Sequence, residues 1–242
     1  MQSVQLSDEA LTPFNDDFTA GPIWPALRDA LAAYDGTSVR ALDIGGGAGV
    51  FADKLLEAFA CWQVVLLDNS PFLLSSNTVH PRKTLLQANA EQIAAEPGPV
   101  AGQFDVIFLN LVLHHLVTRW HGQSRKLQGR VIAAAASRLK PQGRIVVIEQ
   151  VCVPHVPRFP AGRLVYEASS SRLLARVAKR MGANTAGVGV LFFNTGELEQ
   201  IFGDHGFALE RKLPFADTLP GYLRKLNLFH IERTILVFRP RA

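Results

Sequence analysis

The sequence predicts an α/β protein with a doubly wound, mostly parallel sheet covered by helices on both faces. Three observations carry this. Short runs dense in valine, isoleucine and leucine recur from residue 39 to 150. Segments with helical spacing separate them, and glycine, proline or polar turns punctuate the joins. Strands buried on both faces read as continuous apolar runs, and helices between them supply the crossovers that parallel pairing requires.

In chain order, residues 1–38 form an entry segment and helical cap, with a short amphipathic helix from about Pro25 stopped by Gly36. "VRALDI" (39–44) is the first strand, and "VFADKLLEAFA" (50–60) is a helix. "QVVLLD" (63–68) is the second strand, closing on Asp68. Ser70 and Pro71 then open a helix as N-cap and first helical residue. "KTLLQAN" (83–89) and "FDVIFLN" (104–110) are the third and fourth strands. Residues 124–140 are helical up to Pro141, and "GRIVVIEQ" (143–150) is the fifth strand. The alternation breaks over 151–192, where a proline-rich turn leads into a basic helical stretch, read as a lid inserted over the end of strand five. It resumes with a helix N-capped by Thr195, and strands at 208–215 and 233–240 complete a single domain spanning 1–242.

Composition bounds the function. The chain has 242 residues, 48% of them hydrophobic, with a net charge of +4, which is ordinary globular usage. Residues 1–110 carry five Lys and Arg against thirteen Asp and Glu, and residues 111–242 carry twenty against eight. The basic second half suits an anionic acceptor or a nucleic acid, or is simply a solvated surface. No signal-peptide pattern opens the chain and no apolar run is long enough to span a membrane. Cys61 and Cys152 show no metal-type spacing, so no metal is expected, and a reducing cytoplasmic setting is the plain reading.

"ALDIGGGAGVF" (41–51) places four glycines in five positions directly after a strand. A Walker loop needs a Gly-Lys pair that is missing here. A dinucleotide fingerprint fits Gly47, Gly49 and Ala52, but its first glycine lies three residues past the strand. Asp43 separates the remaining readings, because a carboxylate repels a pyrophosphate and suits a cationic ligand group.

"DIGGGAG" resembles the first motif of the class I S-adenosylmethionine-dependent methyltransferases, an acid followed by alternating glycines. The resemblance continues in order through "VVLLDNS", "ANAEQ", "FDVIFLNLVLHHL" and "LKPQGRIVVIE". It implies a Rossmann-like, seven-stranded sheet whose last strand is antiparallel and inserted beside the fifth. It also implies S-adenosylmethionine as cofactor and a small-molecule acceptor methylated on oxygen, nitrogen or carbon. Asp43, Gly45, Gly46, Gly47 and Gly49 would receive the methionine end. Asp68 would take the ribose hydroxyls and Asn89 the adenine amino group, and Asn69, Ala90, Asn110 and Leu111 would complete the cofactor site. Asn89 stands where the family commonly has an acid, and Gln142 where it commonly has glycine.

A base is needed only when the acceptor must lose a proton. His115 and Glu149 are the candidates, with His114, Tyr166 and Arg172 expected near the acceptor. The plainer readings are that the histidines start a helix, Glu149 is structural, and Tyr166, Phe192, Phe193, Trp24 and Phe14 are core. Arg172, Arg176, Lys179 and Arg180 share one helix face, which is a solvated surface unless an anion meets it. Two further functions stay open: a nucleic-acid methyltransferase, which the absence of an N-P-P-[YF] motif disfavours, and a member of the fold that binds cofactor without transferring methyl. A monomer or a homodimer is expected.

Overall fold

The computed structural model describes residues 17–95, 98, 100–156, 159–171, 187–217 and 228–241. Its elements in chain order are α1 (Ile23–Ala30), β1 (Val39–Ile44), α2 (Val50–Ala58), β2 (Trp62–Asp68), α3 (Pro71–Ser75), β3 (Lys83–Gln87), β4 (Phe104–Asn110), α4 (His121–Ser137), β5 (Leu139–Pro154), α5 (Ala161–Ser170), α6 (Thr195–Asp204), β6 (Phe207–Asp217) and β7 (Phe229–Pro240).

The seven strands form one sheet in the order β3-β2-β1-β4-β5-β7-β6, with β7 antiparallel to both neighbours and the pairs from β3 to β5 parallel. Alternate residues of each strand face opposite layers. Leu42, Val65, Ile107 and Val147 pack with α4 and α6 through Val131, Leu198 and Phe202. Ala41, Val64, Phe108 and Val146 pack with α1 and α2 through Leu27, Phe51 and Leu55. Both faces are covered, which is why the strand sequences lack polar alternation.

β1 and β4 run over the residues the sequence predicts, and Ser70 caps α3 by accepting from the Leu73 N–H at 3.2 Å. Other boundaries differ. α4 ends at Ser137, and β5 starts at Leu139 and runs through Pro141 to Pro154. Pro141 is tolerated because the ladder slips there: Phe104 pairs with Leu139 and Val106 with Arg144, leaving the proline in an irregular stretch. Strand five therefore outlasts the expected end at 150, and the insertion begins later. α6 is capped by Asn194 instead of Thr195, since Asn194 Oδ1 accepts from Glu197 N–H at 2.9 Å and Glu197 Oε2 accepts from Asn194 N–H at 2.8 Å. α1 starts two residues before Pro25 and ends at Ala30, with a separate turn over Ala32–Tyr34.

Candidate cofactor and acceptor site

β1 leads left to β2 and β3, and β4 leads right to β5, so the sheet order reverses between β1 and β4. Ligands of open α/β sheets bind outside the carboxyl ends of the strands at such a point. A cavity of about 260 Å³ lies there, bordered by the loops after β1, β2, β3 and β4.

The loop after β1 is pinned by Gly45 N–H and Gly46 N–H, which donate to the Leu67 carbonyl at 2.7 and 3.3 Å. A Cβ on Gly46 would lie 2.6 Å from Asp43 Oδ2 and 2.6 Å from Leu66 Cγ, so no side chain fits between the loop and the acid. Gly49 serves differently. It N-caps α2 at φ +81°, and a Cβ there would meet Asn77 Oδ1 at 1.9 Å. It does not border the cavity.

Asp43 is fully buried, and neither carboxylate oxygen has a hydrogen-bond partner. Burial, reinforced by the charge of Asp68, pushes its carboxyl up to about 7. Asn110 Oδ1 is likewise buried without a donor. Three acceptor atoms without donors thus belong to residues bordering one cavity. They call for a ligand that brings N–H donors, best a cation. A pyrophosphate brings negative charge and no donors, so the dinucleotide reading does not fit.

Asp68 closes β2, accepting from Gly47 N–H at 3.0 Å through Oδ2 and from Ser70 N–H at 2.8 Å through Oδ1. Burial raises its carboxyl, against these hydrogen bonds. Each oxygen keeps acceptor capacity for a diol. Asn69, Asn89 and Ala90 border the cavity beside it. Asn89 Oδ1 already accepts from Asn69 Nδ2 at 3.2 Å, and the Asn89 N–H donates to Gln92 Oε1 at 3.0 Å. The oxygen expected to meet the adenine amino group is therefore already engaged in shaping this turn.

After β4 the chain turns sharply. Leu111 has φ +51°, the one non-glycine residue of positive φ among the described residues, and its N–H donates to the Ile148 carbonyl at 2.7 Å. Leucine in this region costs of order 1–3 kcal/mol, a strain that fixed surroundings must hold. Glu149 is one such holder. Its Oε1 accepts from Leu113 N–H at 2.7 Å, and Oε2 lies 2.6 Å from His114 Nδ1. Glu149 is 1% exposed and does not border the cavity, so the structure places it behind the site and not among reacting atoms. His114 is also set back, its carbonyl accepting from Leu191 N–H at 3.0 Å. His115 does border the cavity, and burial together with His114 lowers its imidazole well below the ordinary value, leaving it neutral.

The Tyr166 hydroxyl donates to the Thr118 carbonyl at 2.8 Å, and the ring sits in an apolar cluster without bordering the cavity. Phe192, Phe193 and Trp24 also pack into or against core clusters. Arg172, Arg176, Lys179, Arg180 and Phe14 lie outside the described residues. Among the described residues no group of three His, Cys, Asp or Glu side chains is arranged to hold a metal.

Sequence reasoning missed part of the wall. Asp17, Phe18 and Thr19 close one side, held by Lys54 Nζ to Asp17 Oδ2 at 2.7 Å and by Arg233 Nη1 to the Phe18 carbonyl at 2.7 Å. Leu116, Val188 and Gly189 complete it. Leu116 closes the stretch "FDVIFLNLVLHHL", and the cap over 1–38 and the insertion over 151–192 were the signals for the rest.

Residues 42–145 match the sequence model of the family described as a methyltransferase domain. No curated protein matches the chain in sequence. Among solved structures, LepI C52A in complex with SAH and a substrate analogue superposes with a TM-score of 0.60 at 18% identity, over 93% of this chain and 50% of that one. The mitomycin 7-O-methyltransferase MmcR gives 0.54 at 20% identity, over 98% and 61%. The N-methyltransferase NodS from Bradyrhizobium japonicum WM9, in complex with S-adenosyl-L-homocysteine, gives 0.55 at 14% identity, over 90% and 85%. The chain spans about half the length of the first of these. With its sheet order and these superpositions taken together, this chain has the fold of the class I methyltransferases, and residues 42–145 resemble the methyltransferase-domain family in sequence.

Proposed function

We propose that this cavity binds S-adenosylmethionine and that the protein transfers a methyl group to a small-molecule acceptor. The carrying observation is the set of unpartnered acceptors, both oxygens of Asp43 and Oδ1 of Asn110, beside a glycine loop at the switch point. The cofactor supplies an activated methyl on a sulfonium. Asp43 and Asn110 accept hydrogen bonds from its ammonium group, and Asp68 accepts from the ribose hydroxyls. Asn69, Asn89 and Ala90 wall the base. The Leu111–Leu116 turn and Phe18, Thr19, Val188 and Gly189 enclose the acceptor and exclude water, which is most of what an in-line displacement asks of a protein.

His115 is the group placed to receive a proton when the acceptor must lose one. Glu149 acts through the turn it holds and is a positioning residue. Two free thiols, exposed Cys61 and buried Cys152, suit the reducing cytoplasmic setting, and among the described residues no helix is long and apolar enough to cross a membrane.

Calorimetry with S-adenosylmethionine, S-adenosylhomocysteine and NAD tests the binding half. Micromolar binding of the first two without NAD binding is expected, and the reverse pattern overturns the reading. Release of S-adenosylhomocysteine with a metabolite library tests transfer. A second reading, cofactor binding without methyl transfer, draws on a solved neighbour described as a pericyclic reaction enzyme, and it gives binding with no turnover on any acceptor.

A further inference from the structure

We infer that Asn77, which does not border the cavity, is a positioning residue for cofactor binding, an inference that rests on the cofactor reading above. It fixes the Gly47 peptide, and that peptide orients Asp68. Gly47 stands at φ +55°, where no Cβ confines it, so its peptide has to be held from outside the loop. Two side chains hold it. Gly47 N–H donates to Asp68 Oδ2 at 3.0 Å, and the Gly47 carbonyl accepts from Asn77 Nδ2 at 2.9 Å. Asp68 ends β2 and Asn77 lies between α3 and β3, so a single crossover sets the glycine loop and the carboxylate together.

The amide is anchored in turn. Asn77 Nδ2 also donates to the Leu73 carbonyl at 3.3 Å, and the Asn77 N–H donates to the Leu74 carbonyl at 3.2 Å, which ties the residue to the end of α3. Two carbonyls facing the nitrogen fix which way the amide points. Its Oδ1 is buried without a donor and packs on Gly49, where any Cβ would lie 1.9 Å from it. A buried oxygen without a donor costs stability, so packing alone would favour an apolar residue here. The donor at the other end of the amide is the reason for an asparagine. Behind it, Thr78 Oγ1 donates to Asp53 Oδ2 at 2.7 Å, and Lys83 Nζ donates to Asp53 Oδ1 at 2.6 Å and to Thr78 Oγ1 at 3.2 Å. Asp53 belongs to α2 and Lys83 to β3, so this brace joins both to the Asn77 turn behind the glycine loop. Freed of Asn77, the Gly47 peptide can turn, and Asp68 Oδ2 then loses the N–H that orients its contact with the ribose diol.

The test uses the whole chain with S-adenosylhomocysteine as ligand, calorimetry to read affinity and thermal unfolding to show that each variant is folded. Asn77→Ala is expected to bind about three- to tenfold more weakly, the range for one neutral hydrogen bond lost. Double-mutant cycles then separate positioning from a general structural role. Joined to Asp68→Asn, the alanine variant should add less than about twofold to the loss, because it acts through that carboxylate. Joined to Asn110→Ala, on a different loop, the two losses should multiply. A loss below about threefold for Asn77→Ala overturns the inference. Losses that multiply with Asp68→Asn, or that fail to multiply with Asn110→Ala, overturn it too. Asn77→Asp keeps the shape without the amide donor, and it carries the same cycles if the alanine variant does not fold. Failure of both to fold assigns the amide to the fold and also overturns the inference. Absence of S-adenosylhomocysteine binding by the wild-type chain overturns the cofactor reading instead, so the two failures are distinct.

Discussion

Replacing Asp43 by asparagine is expected to stabilise the ligand-free protein at pH 8 while weakening its hold on S-adenosylhomocysteine. Burial and Asp68 raise the Asp43 carboxyl from 3.8 to about 7. An acid raised in the folded state binds more protons folded than unfolded between those values. Stability therefore falls as pH rises from 3.8 to about 7, then levels off. At about 1.4 kcal/mol per tenfold change in proton affinity, the cost at pH 8 is about 4 kcal/mol. Asparagine removes the charge but leaves amide donors in the site, which costs about 1–3 kcal/mol. The net gain is about 1–3 kcal/mol, or several degrees in Tm for a chain this long. Urea denaturation at pH 8 and pH 4 reads it, and the gain should vanish or reverse at pH 4. Binding carries the opposite sign, because the ammonium of the ligand meets a charged Asp43. Wild-type affinity for S-adenosylhomocysteine should rise about tenfold from pH 6 to pH 8, and the variant's should be weaker and flat. A variant equally destabilised at both pH values, with a wild-type affinity that ignores pH, would refute the buried charge.

Other perturbations separate ligand contacts from support. Asp68→Asn should weaken S-adenosylhomocysteine binding about 10- to 100-fold by calorimetry, since it turns one diol acceptor into a donor. Glu149→Leu leaves the Leu113 N–H and His114 without their acceptor and should cost about 3–5 kcal/mol in urea, with Glu149→Gln costing less because one oxygen remains. Gly49→Ala forces a Cβ onto Asn77 at positive φ and should lower stability by about 1–3 kcal/mol, read as a lower Tm. His115→Ala should leave cofactor binding within about threefold of wild type and should lower kcat by about 10²–10⁴ with an acceptor that must lose a proton, whereas an unchanged kcat would remove its role as proton acceptor.

What the sequence displayed and what it hid divide along the range of the interactions. β1, β4 and the glycine loop are local patterns, so their bounds and the cavity they border could be read from consecutive residues. Asp43 was legible because its chemistry follows from its position before the loop. The rest depends on partners far along the chain. Glu149 at a strand end read equally as a catalytic or a structural carboxylate, and only its pairing with Leu113 and His114, 36 and 35 residues away, shows that it supports the turn. That Asn89 Oδ1 accepts from Asn69 could not be seen in either local motif, since the two residues lie on different loops. Pro141 was read as a boundary because the slip between β4 and β5 that accommodates it is a two-strand property. The Asn194 cap was legible from the N-x-x-E spacing with Glu197 and was overlooked in favour of its neighbour.

β5 outlasts its parallel partner. Its pairing with β4 ends at Ile148, while its pairing with β7 continues to Pro154. On the side that β4 has vacated, Val151 bridges Phe193, and the Cys152 N–H donates to the Phe193 carbonyl at 2.8 Å. The strand thus works as a cantilever, rooted in the core at one end and carrying the 190–193 segment at the other. Substrate choice can then drift independently of cofactor grip: changes around Val188 and Gly189 hang from the overhang, whereas the glycine loop and its acids are built on β1 and β2. A chimera exchanging the stretch between Pro154 and Phe193 for that of another protein of this fold should inherit a new acceptor and keep the old cofactor affinity.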